Sequence, residues 1–161
     1  MIRSLLLHIS LIFSCVVFSQ EKSRLYDPSA VPEKDLAKIS ERAKKENKHI
    51  LILAGGNWCV KCITFDQFCS VNGEIDSLLK SDYLRYHLNY SEDNENKSVF
   101  AKFGYPQRFG FPVLLVLNEK GERIHTQKSE YLEQGMGYSR RKVYEFLQTW
   151  NRKSVQPEQY K

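Results

Sequence analysis

Residues 50–62, Ile50-Leu51-Ile52-Leu53-Ala54-Gly55-Gly56-Asn57-Trp58-Cys59-Val60-Lys61-Cys62, decide how the rest of the chain is read. The apolar run has strand length, stops at two glycines and leads into a helix-compatible segment, which puts Cys59 at or near a helix N-terminus. From Ile50 to Leu53 there is no polar alternation, so the strand is expected to be buried on both faces, as in an α/β sheet. At a helix start the unpaired N–H groups and the positive end of the dipole favour an anion, here the thiolate of Cys59. Lys61, between the two cysteines, adds a positive charge. Cys-X-X-Cys spacing can bring a thiol from a pKa of about 8.5 into the range of about 3.5–7.5. Thiolate is the nucleophile of disulfide exchange, and Cys62, one helical turn on, is placed to attack a mixed disulfide formed by Cys59.

Working outward, Glu33 to Asn47 reads as an amphipathic helix. Glu33 and Asp35 lie in its first turn, Leu36, Ile39 and Ala43 form its apolar stripe, and Lys44, Lys45 and Lys48 sit at its end. The helix from Cys59 should run to about Phe68 with Phe65 and Phe68 inward, until Asn72-Gly73 breaks it; Glu74 to Lys80 forms a second helical piece. Leu84, Tyr86 and Leu88 alternate with Arg85, His87 and Asn89, a strand signature. Val99, Phe100 and Phe103 suggest a short helix ended by Gly104. Val113 to Leu117 is a second all-apolar strand, and Asn118 to Gly121 turns it into a hairpin with Glu122 to Thr126. Ser139 is expected to cap a last helix carrying Val143, Phe146, Leu147 and Trp150.

With Trp58-Cys59-Val60-Lys61-Cys62 after a strand and Phe111-Pro112 opening a later one, the chain resembles the thioredoxin superfamily. Within it, the form of the motif and the aromatic Phe65 are similar to the thiol-reductase domain of DsbD-type proteins and to small secreted thioredoxin-like proteins. The resemblance implies an α/β thioredoxin fold, a central mixed β-sheet flanked by helices. It also implies thiol:disulfide oxidoreductase activity with Cys59 and Cys62 as the catalytic pair, and a substrate groove shaped by Trp58, Phe111 and Pro112. The Phe111–Pro112 bond is then expected to be cis, with the Phe111 backbone offered to an extended peptide; only an X–Pro bond adopts that form at little cost. No cofactor is implied, because the dithiol itself carries two electrons. The partners implied are protein thiols and disulfides of the cell envelope and a redox partner protein, met by a monomer.

Two departures from the family pattern stand out. Many relatives carry a buried acid six positions before the first cysteine, which helps to deprotonate the second; here that position is Leu53. Asp66, one turn beyond Cys62, is the candidate substitute. The stretch between Gly104 and Pro112 is also longer than thioredoxins usually have, and it borders the groove. Both features leave open a rival reading, a client-binding module whose disulfide is structural.

Met1 to Ser19 has Arg3, an apolar stretch from Leu5 to Phe18 and the small residues Ser10, Ser14 and Ser19, the pattern of a signal peptide cleaved after Ser19. Its apolar part falls short of the ~20 residues of a membrane-spanning helix. The alternative is a lipoprotein signal over Ile12-Phe13-Ser14-Cys15, leaving Cys15 lipid-anchored. The layout expected is a leader over 1–19, a linker over 20–32, the thioredoxin-like domain over 33–151 and a polar tail over 152–161, in a protein exported to the periplasm or beyond. In that compartment Cys59 pairs with Cys62, and Cys69 is left over as a buried thiol or a resolving one. One Cys-X-X-Cys, Cys69 and the scattered His49, His87 and His125 do not make the four-ligand set of a zinc site. A net charge of +5 without a basic stripe interleaved with aromatics excludes a nucleic-acid surface.

Overall fold

A computed structural model describes residues 24–161. The leader, the Cys15 alternative and the first residues of the linker lie outside the described residues. Helix α1 (Pro32–Glu46) opens with Pro32, Glu33 and Asp35 and closes with Lys44 and Lys45, so both of its ends complement the helix dipole. Asn47 ends it in the left-handed region at φ 54°, returning its N–H to the Ala43 carbonyl. Strand β1 (His49–Gly55) follows, buried along its whole length. Helix α2 (Val60–Val71) and helix α3 (Gly73–Asp82) meet at Asn72, which ends one and starts the other.

Strand β2 (Tyr83–Asn89) and the short helix α4 (Lys97–Lys102) lead to a 3₁₀ turn over Pro106–Phe109, into which the longer loop before Pro112 is wound. Strands β3 (Val113–Leu117) and β4 (Arg123–Lys128) form the expected hairpin. Next come two-residue strands that carry no periodicity, β5 (Glu133–Gln134) and β6 (Gly137–Tyr138), a miniature hairpin turning at Gly135 with φ 59°. Helix α5 (Arg140–Thr149) closes the domain.

The main sheet runs β2-β1-β3-β4, with β1 and β2 parallel and the other pairs antiparallel. It is the mixed sheet flanked by helices that the resemblance implies. Because side chains alternate across a strand, β1 and β3 feed two cores. Ile50, Ile52, Leu115 and Leu117 pack with Leu36, Ala43, Val99 and Phe100 on the α1/α4 face. Leu51, Leu53, Leu114 and Val116 pack with Phe65, Ile75, Leu79 and Leu147 on the α2/α3/α5 face. Burying each such side chain stabilises the fold by about 1.5–3 kcal/mol.

Two expectations are corrected. Ser139 occupies the N-cap position of α5, but its hydroxyl makes no capping bond; the residue is buried, and its backbone N–H donates to the Leu132 carbonyl at 2.8 Å. Part of the linker is core, since Tyr26 is 0 % exposed and is laced to Asn57 in both directions. The Tyr26 N–H donates to Asn57 Oδ1 at 3.1 Å, and Asn57 Nδ2 donates to the Tyr26 carbonyl at 2.8 Å. On β2, Arg85 and His87 face α2, where both meet Asp66.

Candidate active site

The site is built where β1 ends. Gly55 and Gly56 are required there by crowding. A Cβ on Gly55 would collide with Cys62 Sγ and stand 2.9 Å from the Tyr26 hydroxyl, and one on Gly56 would stand 2.6 Å from the Tyr90 carbonyl and on top of the Trp58 indole. Cys59 is the N-cap of α2, in extended conformation, and its sulfur accepts the Cys62 backbone N–H at 3.2 Å. That is the bond an N-cap oxygen would accept, and here it is aimed at a sulfur that can carry charge. Cys59 and Cys62 are joined as a disulfide, their Cα atoms 5.3 Å apart. Cys59 is 5 % exposed and Cys62 0 %, so Cys59 is the outer residue of the pair.

Trp58 stands beside the pair, 57 % exposed, its indole N–H donating to the Tyr90 carbonyl at 2.7 Å. Its ring meets Phe111 edge to face at 5.6 Å, and Phe111 leans on Tyr90 with ring centroids 5.0 Å apart. The Phe111–Pro112 peptide is cis. Val113, the next residue, pairs with Ala54 at the end of β1 nearest the cysteines. Trp58, Phe111 and Pro112 are thus brought to the edge of the sheet that holds the disulfide. Beyond Trp58 and Tyr90 opens a pocket of about 580 Å³ bordered by Glu92, Asp93 and Glu95.

Lys61 does not present a free charge to Cys59: its ammonium is held by Glu133 at 3.0 Å. The miniature hairpin delivers that carboxylate, and from it the Tyr138 hydroxyl also donates to the Lys61 carbonyl at 3.2 Å while its ring packs on Phe65. Cys69 is a free, buried thiol, pushed up to about 12 by burial first and then by Asp76, so it is not a resolving nucleophile at neutral pH. Among the described residues no three His, Cys, Asp or Glu side chains cluster as metal ligands, and no helix is long and apolar enough to cross a membrane.

Behind the disulfide lies a polar group of side chains. Leu53 sits beside His87 in the β1–β2 register. His87 Nε2 donates to Asp66 Oδ1 at 2.9 Å, and the Arg85 guanidinium donates to the same oxygen. Asp66, the expected helper of Cys62, is thereby committed to two other partners. Burial first, then the Arg85 charge, pushes His87 down to about 4. His87 is therefore neutral at pH 7, and its ring meets Tyr26 edge to face at 5.6 Å.

A Cys-X-X-Cys disulfide at a helix N-terminus, beside a cis-proline loop on a mixed sheet, defines a protein of the thioredoxin class. The thioredoxin-like family profile matches residues 31–119, and the chain belongs to that family. No curated protein sequence matches it significantly. Among solved structures, it is similar to a disulphide isomerase from Xylella fastidiosa Temecula1, at 23 % identity and a TM-score of 0.67 over 78 % of this chain and 95 % of the other. It is also similar to the oxidised C-terminal domain of DsbD from Neisseria meningitidis, at 15 % identity and a TM-score of 0.55 over 76 % and 97 % of the two chains.

Proposed function

We propose that the protein is an exported thiol:disulfide oxidoreductase that exchanges disulfides with protein substrates of the cell envelope, acting as a monomer recharged by a redox partner protein. Cys59 is the nucleophile and Cys62 the resolving cysteine. The observation that carries the reading is the sulfur of Cys59 at the N-cap of α2, accepting the Cys62 N–H at 3.2 Å. The same donor and the helix dipole stabilise the Cys59 thiolate once the disulfide opens. The exposed Trp58 and the backbone of Phe111 before Pro112 supply the groove for an extended chain carrying the target disulfide. No cofactor takes part.

In the reductive direction the Cys59 thiolate attacks a substrate disulfide, forming a mixed disulfide and releasing one substrate thiolate. Cys62 then attacks Cys59, re-forming the internal disulfide and freeing the second substrate sulfur. The test is insulin reduction by the mature protein, with Cys59→Ser and Cys62→Ser alongside. Thiol-dependent turnover lost in Cys59→Ser, with mixed disulfides trapped by Cys62→Ser, is the expected result. The near-complete burial of both cysteines favours a second reading, a client-binding module with a structural disulfide. That reading gains if the wild-type protein shows no turnover.

A further inference from the structure

Among the buried groups that take no part in the mechanism is Tyr26. Tyr26 is 0 % exposed, yet its hydroxyl oxygen has no hydrogen-bond partner. Burying a hydroxyl unpaired costs about 1–3 kcal/mol, so the position calls for an explanation beyond packing. The Asn57 pairing fixes the backbone of Tyr26, and His87 fixes one side of its ring. The hydroxyl and Cys62 Sγ both crowd the same point over Gly55: a Cβ placed there would stand 2.9 Å from the Tyr26 oxygen and closer still to the Cys62 sulfur.

We propose that the Tyr26 hydroxyl is the hydrogen-bond donor to the Cys62 sulfur in the reduced protein, standing in for the acid that Leu53 replaces. The inference rests on the redox reading of the Cys59–Cys62 pair. In the disulfide the Cys62 sulfur is bonded to Cys59 and the hydroxyl is orphaned. Reduction parts the sulfurs and lets Cys62 Sγ take up the O–H. The other charged or titratable neighbours are unsuited to the task. Asp66 is held by Arg85 and His87, neutral His87 donates its Nε2–H to Asp66, and Tyr138 donates to the Lys61 carbonyl. Burial, Tyr138 and, in the opposite sense, Arg85 act on Tyr26 itself; the net effect raises its pKa well above that of an ordinary phenol, so it stays protonated and serves as a donor, not as a base.

The step served is resolution. Cys62 gives up its proton, which the departing substrate sulfur takes. Its electron pair forms the Cys62–Cys59 bond, and the bond from Cys59 to the substrate breaks with its pair on the substrate. The cysteine pair is oxidised as the substrate disulfide becomes two thiols. A donor to the developing Cys62 thiolate speeds this step and also favours the reduced form of the pair at equilibrium.

The test compares wild type with Tyr26→Phe, which keeps the ring and removes only the oxygen. In glutathione buffers Tyr26→Phe should shift the equilibrium about tenfold toward the disulfide, equivalent to a potential about 30 mV more negative for a two-electron couple. Resolution of a pre-formed mixed disulfide at neutral pH should slow about tenfold. Thermal unfolding supplies the control: the oxidised variant should be at least as stable as wild type, and the reduced one less so. An unchanged equilibrium and resolution rate in a variant whose wild type does equilibrate with glutathione overturns the Tyr26 assignment alone. A wild-type pair that does not exchange with glutathione overturns the redox reading, and this one with it.

Discussion

The two faces of the central sheet are built from the same strands and differ in kind. Toward α1 and α4, residues such as Ile50, Ile52, Leu115 and Leu117 pack into an apolar cluster with Leu36, Ala43, Val99 and Phe100. Toward α2, α3 and α5, Leu51 and Leu53 share their side with the disulfide, Tyr26 and the Asp66–Arg85–His87 group. One side of a buried strand thus contributes stability through close packing. The other side places polar and redox groups in a low-dielectric setting where each hydrogen bond is strong and each missing partner costly. A Cys-X-X-Cys site needs both, since a helix N-terminus can be aimed at a sulfur only if the sheet beneath it is rigid.

If the division holds, a cut in the apolar face changes stability and leaves the chemistry alone. Leu115 is 0 % exposed on that face. Leu115→Ala should cost about 3 kcal/mol by removing buried methyl groups and leaving a cavity. Denaturant unfolding would measure the loss, while the glutathione equilibrium of the folded variant stays at the wild-type value. A shifted equilibrium in folded Leu115→Ala would join the two faces into one coupled unit and break the comparison.

The polar face should betray itself through pH. His87 has an ordinary value of 6.5 and is held at about 4 in the folded chain, so between those values the unfolded chain binds the proton that the folded one refuses. Stability is therefore fully present above about pH 6.5 and is lost as pH falls toward 4, by roughly 2–3 kcal/mol from this residue. His87→Gln should flatten that part of the stability-against-pH curve even if it lowers the plateau. Curves of equal slope in the two proteins would remove His87 from the account of the polar face.

How far this could be read from the sequence follows the same division. The unbroken apolar runs 50–53 and 113–117 were legible as buried strands because burial on both faces leaves a local mark. Cys59 at a helix start and Pro112 at a strand start were legible because motif and context lie within a few residues. Tyr26 was hidden in a polar, proline-bearing stretch, and its partner Asn57 is 31 positions away. Arg85 and His87 were legible only as one side of an alternating strand, because alternation says that two sides differ, not which one meets water. The β5–β6 hairpin is too short for any period, yet it brings Glu133 to Lys61 across 72 positions.

That last pair sets the smallest and most specific expectation. The reading from sequence gave Lys61 a direct role in favouring the Cys59 thiolate, whereas in the fold its ammonium is matched by a carboxylate at 3.0 Å. The lysine side chain is 62 % exposed, so water and salt screen it and the pair contributes little to stability. Its effect on charge near Cys59 is a separate matter. Glu133→Gln leaves the ammonium unmatched two residues from the nucleophile and removes a nearby anion, and both changes favour thiolate. Alkylation of Cys59 in the reduced protein should therefore set in at slightly lower pH, by a few tenths of a unit at low ionic strength. The difference should fade in high salt, because exposed charges interact within a Debye length of about 10 Å at 0.1 M and about 3 Å at 1 M. The Cys62 N–H meets the buried Cys59 sulfur at 3.2 Å, a direct contact that salt does not enter, so the alkylation profile common to both proteins should hardly move with salt. A wild-type profile that itself shifts strongly with salt would mean that surface charge, not the N-cap of α2, governs the reactivity of Cys59.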